Sequence, residues 1–284
     1  HLSSLRLMGA QIETEGGVLS CRCPDGLRGE KITLSFPSVG ATENILIAAA
    51  SADGETVILN AAREPEIADL ADFLCSCGAH ISGAGSGEIT VCGMKKLHSA
   101  EHTVIPDRII ASTYMAAAAV TGGDVRILDT RAEHITPVIP VFEQAGCKVD
   151  CGENSVHISA PVRLRSVQTV RTMPYPGFPT DSQAAVMAML SVAHGTSVMI
   201  ENIFENRYRH VRELCRLGAD IMTEGKVAVI KGVETLTGAC VCAADLRAGT
   251  ALAVAGLAAQ GSTTIENVCL IDRGWQDMEE KLRS

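Results

Sequence analysis

Aromatic residues are scarce in this sequence: five Phe, three Tyr and one Trp, 3% of 284 positions. A core with so few rings must be aliphatic and Ala-rich, which suits closely packed helices and strands. It also leaves no aromatic platform on which nucleic-acid bases could stack. Positive charge is short as well. Twenty-four Lys and Arg against 33 Asp and Glu give a net charge of −9, and no basic tract of five or more occurs. No nucleic-acid partner is therefore expected, and any anionic ligand must be caught locally by placed arginines and helix N-termini. No 18-residue apolar run is free of polar interruption, so a membrane partner is not expected either, and the chain reads as soluble.

Metal-ligand spacing is also lacking. The eleven cysteines include the C-x-C pairs Cys21/Cys23, Cys75/Cys77 and Cys240/Cys242, but no C-x-x-C pair. An odd, scattered set fits reduced thiols in a cytosolic protein, so neither metal nor cofactor is expected. The ends lack boundaries too. His1 runs at once into a helical pattern, and Met278 to Ser284 stops inside one with no Gly or Pro. The expectation is a fragment.

What the sequence has is repetition. Gly-small-x-hydrophobic recurs at Gly9-Ala10-Gln11-Ile12, Gly78-Ala79-His80-Ile81, Gly146-Cys147-Lys148-Val149 and Gly218-Ala219-Asp220-Ile221, at intervals of 69, 68 and 72. A second phrase keeps step, from Gly54 to Asn60, Gly123 to Asp129, Gly195 to Asn202 and Gly261 to Asn267. Two phrases on one period indicate a repeat architecture. In each unit a polar cap opens a helix apolar nearly all round, as Asp107 before Ile109–Val120 and Thr180/Asp181 before Ala184–Ala193, which must be buried. A β-branched strand follows, then an amphipathic helix such as Ile67, Leu70, Phe73, Leu74 and Cys77, then a hairpin such as Ile221 to Ile230 through Gly225. The predicted unit is β-α-β-α-β-β, with one helix inside and one outside.

Arg63, Arg131, Arg207 and Arg273 occupy matching places after the first strand of each phrase. A solvated arginine after a turn is the simpler reading, and it is kept for Arg131. Arg207 and Arg273 are read as functional because Glu205-Asn206 and Asp272 flank them as pairing partners. Inside helices aim their N-terminal N–H groups to one side, where phosphate could bind. Ser38-Val39-Gly40-Ala41-Thr42 begins one such helix; on the residues alone, an ordinary cap explains it. Asp181 opens another and is by default a helix cap, stabilising by about 1 kcal/mol. Asp245-Leu246-Arg247 repeats that geometry with a cation two residues on.

Seven segments together carry a resemblance. They are Ser38-Val39-Gly40-Ala41-Thr42, Asn60-Ala61-Ala62-Arg63-Glu64-Pro65-Glu66, Pro106-Asp107-Arg108, Phe178-Pro179-Thr180-Asp181, Phe204-Glu205-Asn206-Arg207, Asp245-Leu246-Arg247-Ala248 and Ile271-Asp272-Arg273-Gly274. In order, over nearly the whole chain, they resemble the motifs of the UDP-N-acetylglucosamine 1-carboxyvinyltransferases, a branch of the enolpyruvyl transferases. The sibling 5-enolpyruvylshikimate-3-phosphate synthases share the fold but not these phrases. The resemblance implies an α/β fold of two inverse (inside-out) domains built of units of about 70 residues and incomplete at the N-terminus. A partial first domain, 1–105, would lie on the UDP-sugar side, and a second, 106–284, would carry the phosphoenolpyruvate side and the catalytic aspartate, the two facing across a cleft. It implies the cytoplasmic reaction of phosphoenolpyruvate with UDP-N-acetylglucosamine, which commits nucleotide sugar to the peptidoglycan wall.

Position by position, Asp181 resembles the carboxylate that deprotonates the sugar 3-hydroxyl. Arg207 and Arg273 resemble the arginines that clamp phosphoenolpyruvate, with Asp245 and Arg247 nearby. Phe36, Pro37, Ser38, Val39 and Gly40 resemble the loop that holds the uridine diphosphate, with Phe36 where some members have Lys. Ile203 stands where a backbone contact to the sugar is expected, and Phe204, Glu64 and Asp107 complete the expected substrate-binding set. The family's Lys-Asn pair, its loop with a Cys (or Asp) proton donor and an Arg-Pro segment have no match here. The expectation is a piece that is inactive alone and prone to self-association through open sheet edges. Two other readings stand beside this one. The first is another enzyme of the fold, either another enolpyruvyl transferase or an RNA-phosphate-cyclase-like enzyme, the latter of which would want a basic groove. The second is a non-catalytic paralogue that senses nucleotide sugar.

Overall fold

The computed structural model describes residues 1–94 and 96–283. The chain divides into two compact units, His1–Ile105 and Pro106–Ser284.

In the first unit, Lys31–Thr33 pairs in parallel with Glu55–Leu59, Ile32 opposite Ile58. The latter strand runs antiparallel to Glu88–Cys92, which pairs with His80–Ser82. The helix Val39–Ala50 crosses between the two parallel strands, and Pro65–Ser76 leads to the hairpin. The second unit repeats this order with Thr169–Arg171, Thr196–Ile200, Val227–Lys231 and Asp220–Glu224. The β-α-β-α-β-β unit is thus present twice in full among the described residues. Among the described residues, a third sheet, Asp124–Leu128, Ser155–Ser159 and Lys148–Cys151, lacks the parallel first strand. The last unit keeps the parallel pair Cys240–Cys242 and Thr264–Glu266.

The phrase glycines explain the period. Gly9, Gly78, Gly146 and Gly218 sit at φ of 104, 102, 100 and 93°, a conformation that turns each helix end into its hairpin and that a Cβ disfavours.

The core follows from the alanines. In the second unit the helices Arg108–Thr121, Gln183–Leu190 and Leu246–Ala258 pack on one another, and small residues allow their backbones to come close. Ala111 and Ala116 to Ala119 are buried in the first of these, and every residue of Gln183–Leu190 is buried. Helix Val39–Ala50 of the first unit departs from the expectation of burial all round. It buries Ile45, Leu46, Ala49 and Ala50 but leaves Ile47 55% exposed. Among the described residues it packs on the helices Pro65–Ser76 and Leu2–Leu7, and no bundle of three long helices encloses it as in the second unit.

Candidate active site

Asp181 lies in a 3-10 turn, Thr180–Ser182, that leads into Gln183–Leu190. The sequence favoured a cap role, but Pro179 takes the boundary and Asp181 makes no capping hydrogen bond. Its Oδ1 instead forms a close ion pair with Nη2 of Arg207 and lies 3.3 Å from Nε of Arg247. Two guanidiniums thus converge on one carboxylate, and their planar forks are the groups that could meet an anion in an acidic chain. Asp181 is 41% exposed and its partners only 20 and 21%, so the carboxylate is the member most open to a ligand. Among the described residues Oδ2 carries no hydrogen bond and is free to meet a hydroxyl.

Each member has a distinct support. Arg247 stands in the first turn of Leu246–Ala258, whose cap is Asp245: Oδ1 accepts from the Ala248 N–H at 2.8 Å. Arg207 lies 5.0 Å from the centroid of the Phe204 ring, a cation–π contact, and its Nε is buried without a partner among the described residues. Behind it His210 is 1% exposed. Burial pushes its imidazole down to about 4; Asp245 opposes that shift, and the Arg207 guanidinium adds to it. A neutral His210 therefore adds no third cation beside Arg207 at neutral pH. Ser182 Oγ and Ser112 Oγ, 2.7 Å apart, tie the Asp181 turn to helix Arg108–Thr121.

The other sequence-derived residues fall as follows. Asp107 caps Arg108–Thr121, accepting from the N–H groups of Ile109 and Ile110 at 2.7 and 3.1 Å. Ile203 and Phe204 give their N–H groups to Glu201 at 2.8 and 3.0 Å, so a ligand contact from the Ile203 backbone falls to its carbonyl. Arg273 is exposed at the end of the short helix Cys269–Asp272, and among the described residues it forms no ion pair with Asp181. In the first unit, Ser38 caps Val39–Ala50, with its Oγ accepting from the Ala41 N–H at 3.4 Å and its carbonyl bonding the Thr42 N–H. Among the described residues the Val39 and Gly40 N–H groups have no hydrogen-bond partner, and such groups are the donors a phosphate needs at a helix start. Phe36 is 44% exposed. Glu64 is buried, and its Oε2 accepts from the Arg63 N–H at 3.0 Å. The Glu43 carboxyl is pushed up, first by burial and then by the charges of Glu66 and Glu64.

The sequence reading missed Glu201 and His210. Glu201 was visible only as the one glutamate at the place that Asn60, Asp129 and Asn267 fill in the other units. Among the described residues, no cluster of three His, Cys, Asp or Glu is placed to hold a metal ion, and no helix is long and apolar enough to cross a membrane.

A family model described as EPSP synthase (3-phosphoshikimate 1-carboxyvinyltransferase) matches residues 1–282. UDP-N-acetylglucosamine 1-carboxyvinyltransferases 2 and 1 of Caldanaerobacter subterraneus subsp. tengcongensis are 49% and 52% identical to the chain over 284 residues. Those matches cover 100% of this chain and 68% of each relative. Among solved structures, the enolpyruvyl transferase NikO from Streptomyces tendae matches with a TM-score of 0.89 at 25% identity, over 99% of this chain and 69% of that one. The fold thus finds its likeness in an enolpyruvyl transferase. The chain belongs to the EPSP synthase family, and it spans about two thirds of the length of the relatives it matches.

Proposed function

We propose that the protein bearing this chain transfers the enolpyruvyl group of phosphoenolpyruvate to the 3-hydroxyl of UDP-N-acetylglucosamine, with release of phosphate, as the first committed step of peptidoglycan synthesis. The observation that carries this reading is Asp181 paired with both Arg207 and Arg247 at the start of a buried helix. Relatives at about half identity are named for that acceptor. Oδ2 of Asp181 takes the proton of the sugar hydroxyl as its oxygen attacks C2 of phosphoenolpyruvate, and a proton added at C3 completes a tetrahedral adduct. Loss of phosphate from C2 and of a proton from C3 then gives the enol ether. Arg207 and Arg247, joined in this reading by Arg273, hold the carboxylate and phosphate as planar forks and balance the charge that develops on them. Asp245 keeps the Arg247 turn in place. The Val39 and Gly40 N–H groups, with Phe36, Pro37 and Ser38, take the diphosphate. The eleven free thiols suit a reducing compartment, and with phosphorylated substrates they favour the cytoplasm.

Asp181→Asn keeps the shape and removes the base. Phosphate release dependent on both substrates, by protein expressed from the whole gene, should fall by about 10²-fold or more. Unchanged turnover in that variant refutes the role of Asp181, and turnover with 3-phosphoshikimate in place of the nucleotide sugar refutes the acceptor. Nucleotide-sugar binding with no turnover by the unmutated protein selects the sensing reading instead.

A further inference from the structure

The two complete units differ at one place that their strand pairing makes equivalent. In the first unit the pair Thr33 and Leu59 puts the next residues, Leu34 and Asn60, opposite each other. Asn60 takes φ of 57° and donates from Nδ2 to the Leu34 carbonyl at 2.8 Å. Asp129 and Asn267, which follow the corresponding strands, also take positive φ, 50 and 60°. In the second complete unit the pair Arg171 and Ile200 brings Thr172 opposite Glu201. The strand-closing bond there is made one residue later, by Asn202 Nδ2 to the Thr172 carbonyl at 3.2 Å. Closing the sheet therefore needs only a short amide, and Glu201 is surplus to it.

Glu201 is 1% exposed, and a buried carboxylate is tolerated only where donors surround it. Four do. Oε1 accepts from Thr172 Oγ1 at 2.9 Å and from the N–H groups of Ile203 and Phe204 at 2.8 and 3.0 Å. Oε2 accepts from Thr180 Oγ1 at 2.9 Å. Thr180 precedes Asp181 in the same 3-10 turn, and Phe204 supports the Arg207 guanidinium. One side chain thus grips both halves of the Asp181–Arg207 pair.

We propose that Glu201 is a positioning residue: through Thr180 on one side and the Ile203 and Phe204 amides on the other, it sets the Asp181 carboxylate against the Arg207 guanidinium. Its consequence for rate rests on the proposed enolpyruvyl transfer; its consequence for geometry does not.

The test uses Thr180→Val, Thr180→Ser and Glu201→Gln in protein expressed from the whole gene, with kinetics and a crystal structure of Thr180→Val. Thr180→Val removes one hydrogen bond and should lower Tm by less than about 4 °C. Its kcat should fall by about tenfold or more while KM for the nucleotide sugar changes by less than about threefold, because misplacement harms the reacting geometry more than binding. Thr180→Ser should return kcat to within about twofold, which a mere change of packing would not achieve. Glu201→Gln, if it folds, should behave as Thr180→Val does, since its amide cannot accept from all four donors. The crystal structure should show the Asp181–Arg207 pair displaced. A kcat for Thr180→Val within about twofold of the unmutated protein overturns the proposal, as does an unmoved pair in the crystal. If the unmutated protein shows no transfer, the functional reading fails, and the crystal structure alone decides the positioning.

Discussion

His210 offers a measurable link between the buried helices and the charge of the site. Its ring is 1% exposed, 3.3 Å by Nε2 from Sδ of Met187, and hydrogen-bonded to the Arg207 backbone. Its pKa falls from an ordinary 6.5 to about 4, first through burial and then through Arg207, against the pull of Asp245. The unfolded chain therefore binds the proton more tightly than the folded one. The stability that the neutral ring contributes is complete above pH 6.5 and is lost as pH falls toward 4. At about pH 5 the unfolded ring is almost wholly protonated and the folded one only about a tenth, a difference of about 2 kcal/mol. The single tryptophan, Trp275, lies buried in the same unit, so urea unfolding followed by its fluorescence reports that unit. The comparison is with His210→Gln at pH 8 and at pH 5. The variant gives up packing at both values, and the other histidines titrate alike in both proteins. The stability gap should therefore shrink by about 2 kcal/mol at the lower pH. A gap that stays constant across this range would show the ring to be reachable by protons in the folded state and would refute the argument.

Two further outcomes follow from packing. A Cβ on Gly232 would stand 1.6 Å from the Ala193 carbonyl oxygen, an overlap with backbone that cannot rotate away. Gly232→Ala should therefore cost more than about 2 kcal/mol. The N–H of Gly232 bonds to Gly195 as that of Ala160 bonds to Gly123, yet the latter place already holds a side chain. Ala160→Gly in the same fluorescence assay should cost less than about 1 kcal/mol, and equal losses in the two variants would refute the steric reading. Of the eleven free cysteines, Cys77 and Cys147 are buried, and burial pushes the Cys147 thiol up to about 11. Alkylation at pH 8 followed by mass spectrometry should label exposed Cys215 and spare both until denaturant is added. Labelling of Cys147 at the rate of Cys215 would refute its burial.

What could be read in the sequence divides along physical lines. The repeat was legible because its punctuation is a backbone requirement. Near φ of 100° a Cβ is disfavoured, so glycine recurs in register at Gly9, Gly78, Gly146 and Gly218. The buried helices were legible because an all-apolar run has no face to give to water. The role of Asp181 was legible only in part. A carboxylate at a helix start is locally indistinguishable from a cap, and what removes Asp181 from that role is Arg207, 26 residues away, together with Arg247. Arg273 holds the place equivalent to Arg207 in the repeat, yet among the described residues it forms no ion pair with Asp181 and is exposed, so the period fixes a backbone position and not the partners of its side chain.

Glu201 was the least legible residue. At the end of a β-branched strand a glutamate is ordinarily solvated, and nothing local says otherwise. It is buried because two threonines, 29 and 21 residues away, bring hydroxyls to it. The one available signal was comparative: three units place Asn or Asp in a left-handed turn, and the fourth breaks the pattern. A broken pattern inside a repeat marks a place where the fold's own demand is already met by a neighbour, here Asn202. The substituted side chain is then free to answer a different demand, and in this unit that demand is to hold Asp181 and Arg207 together.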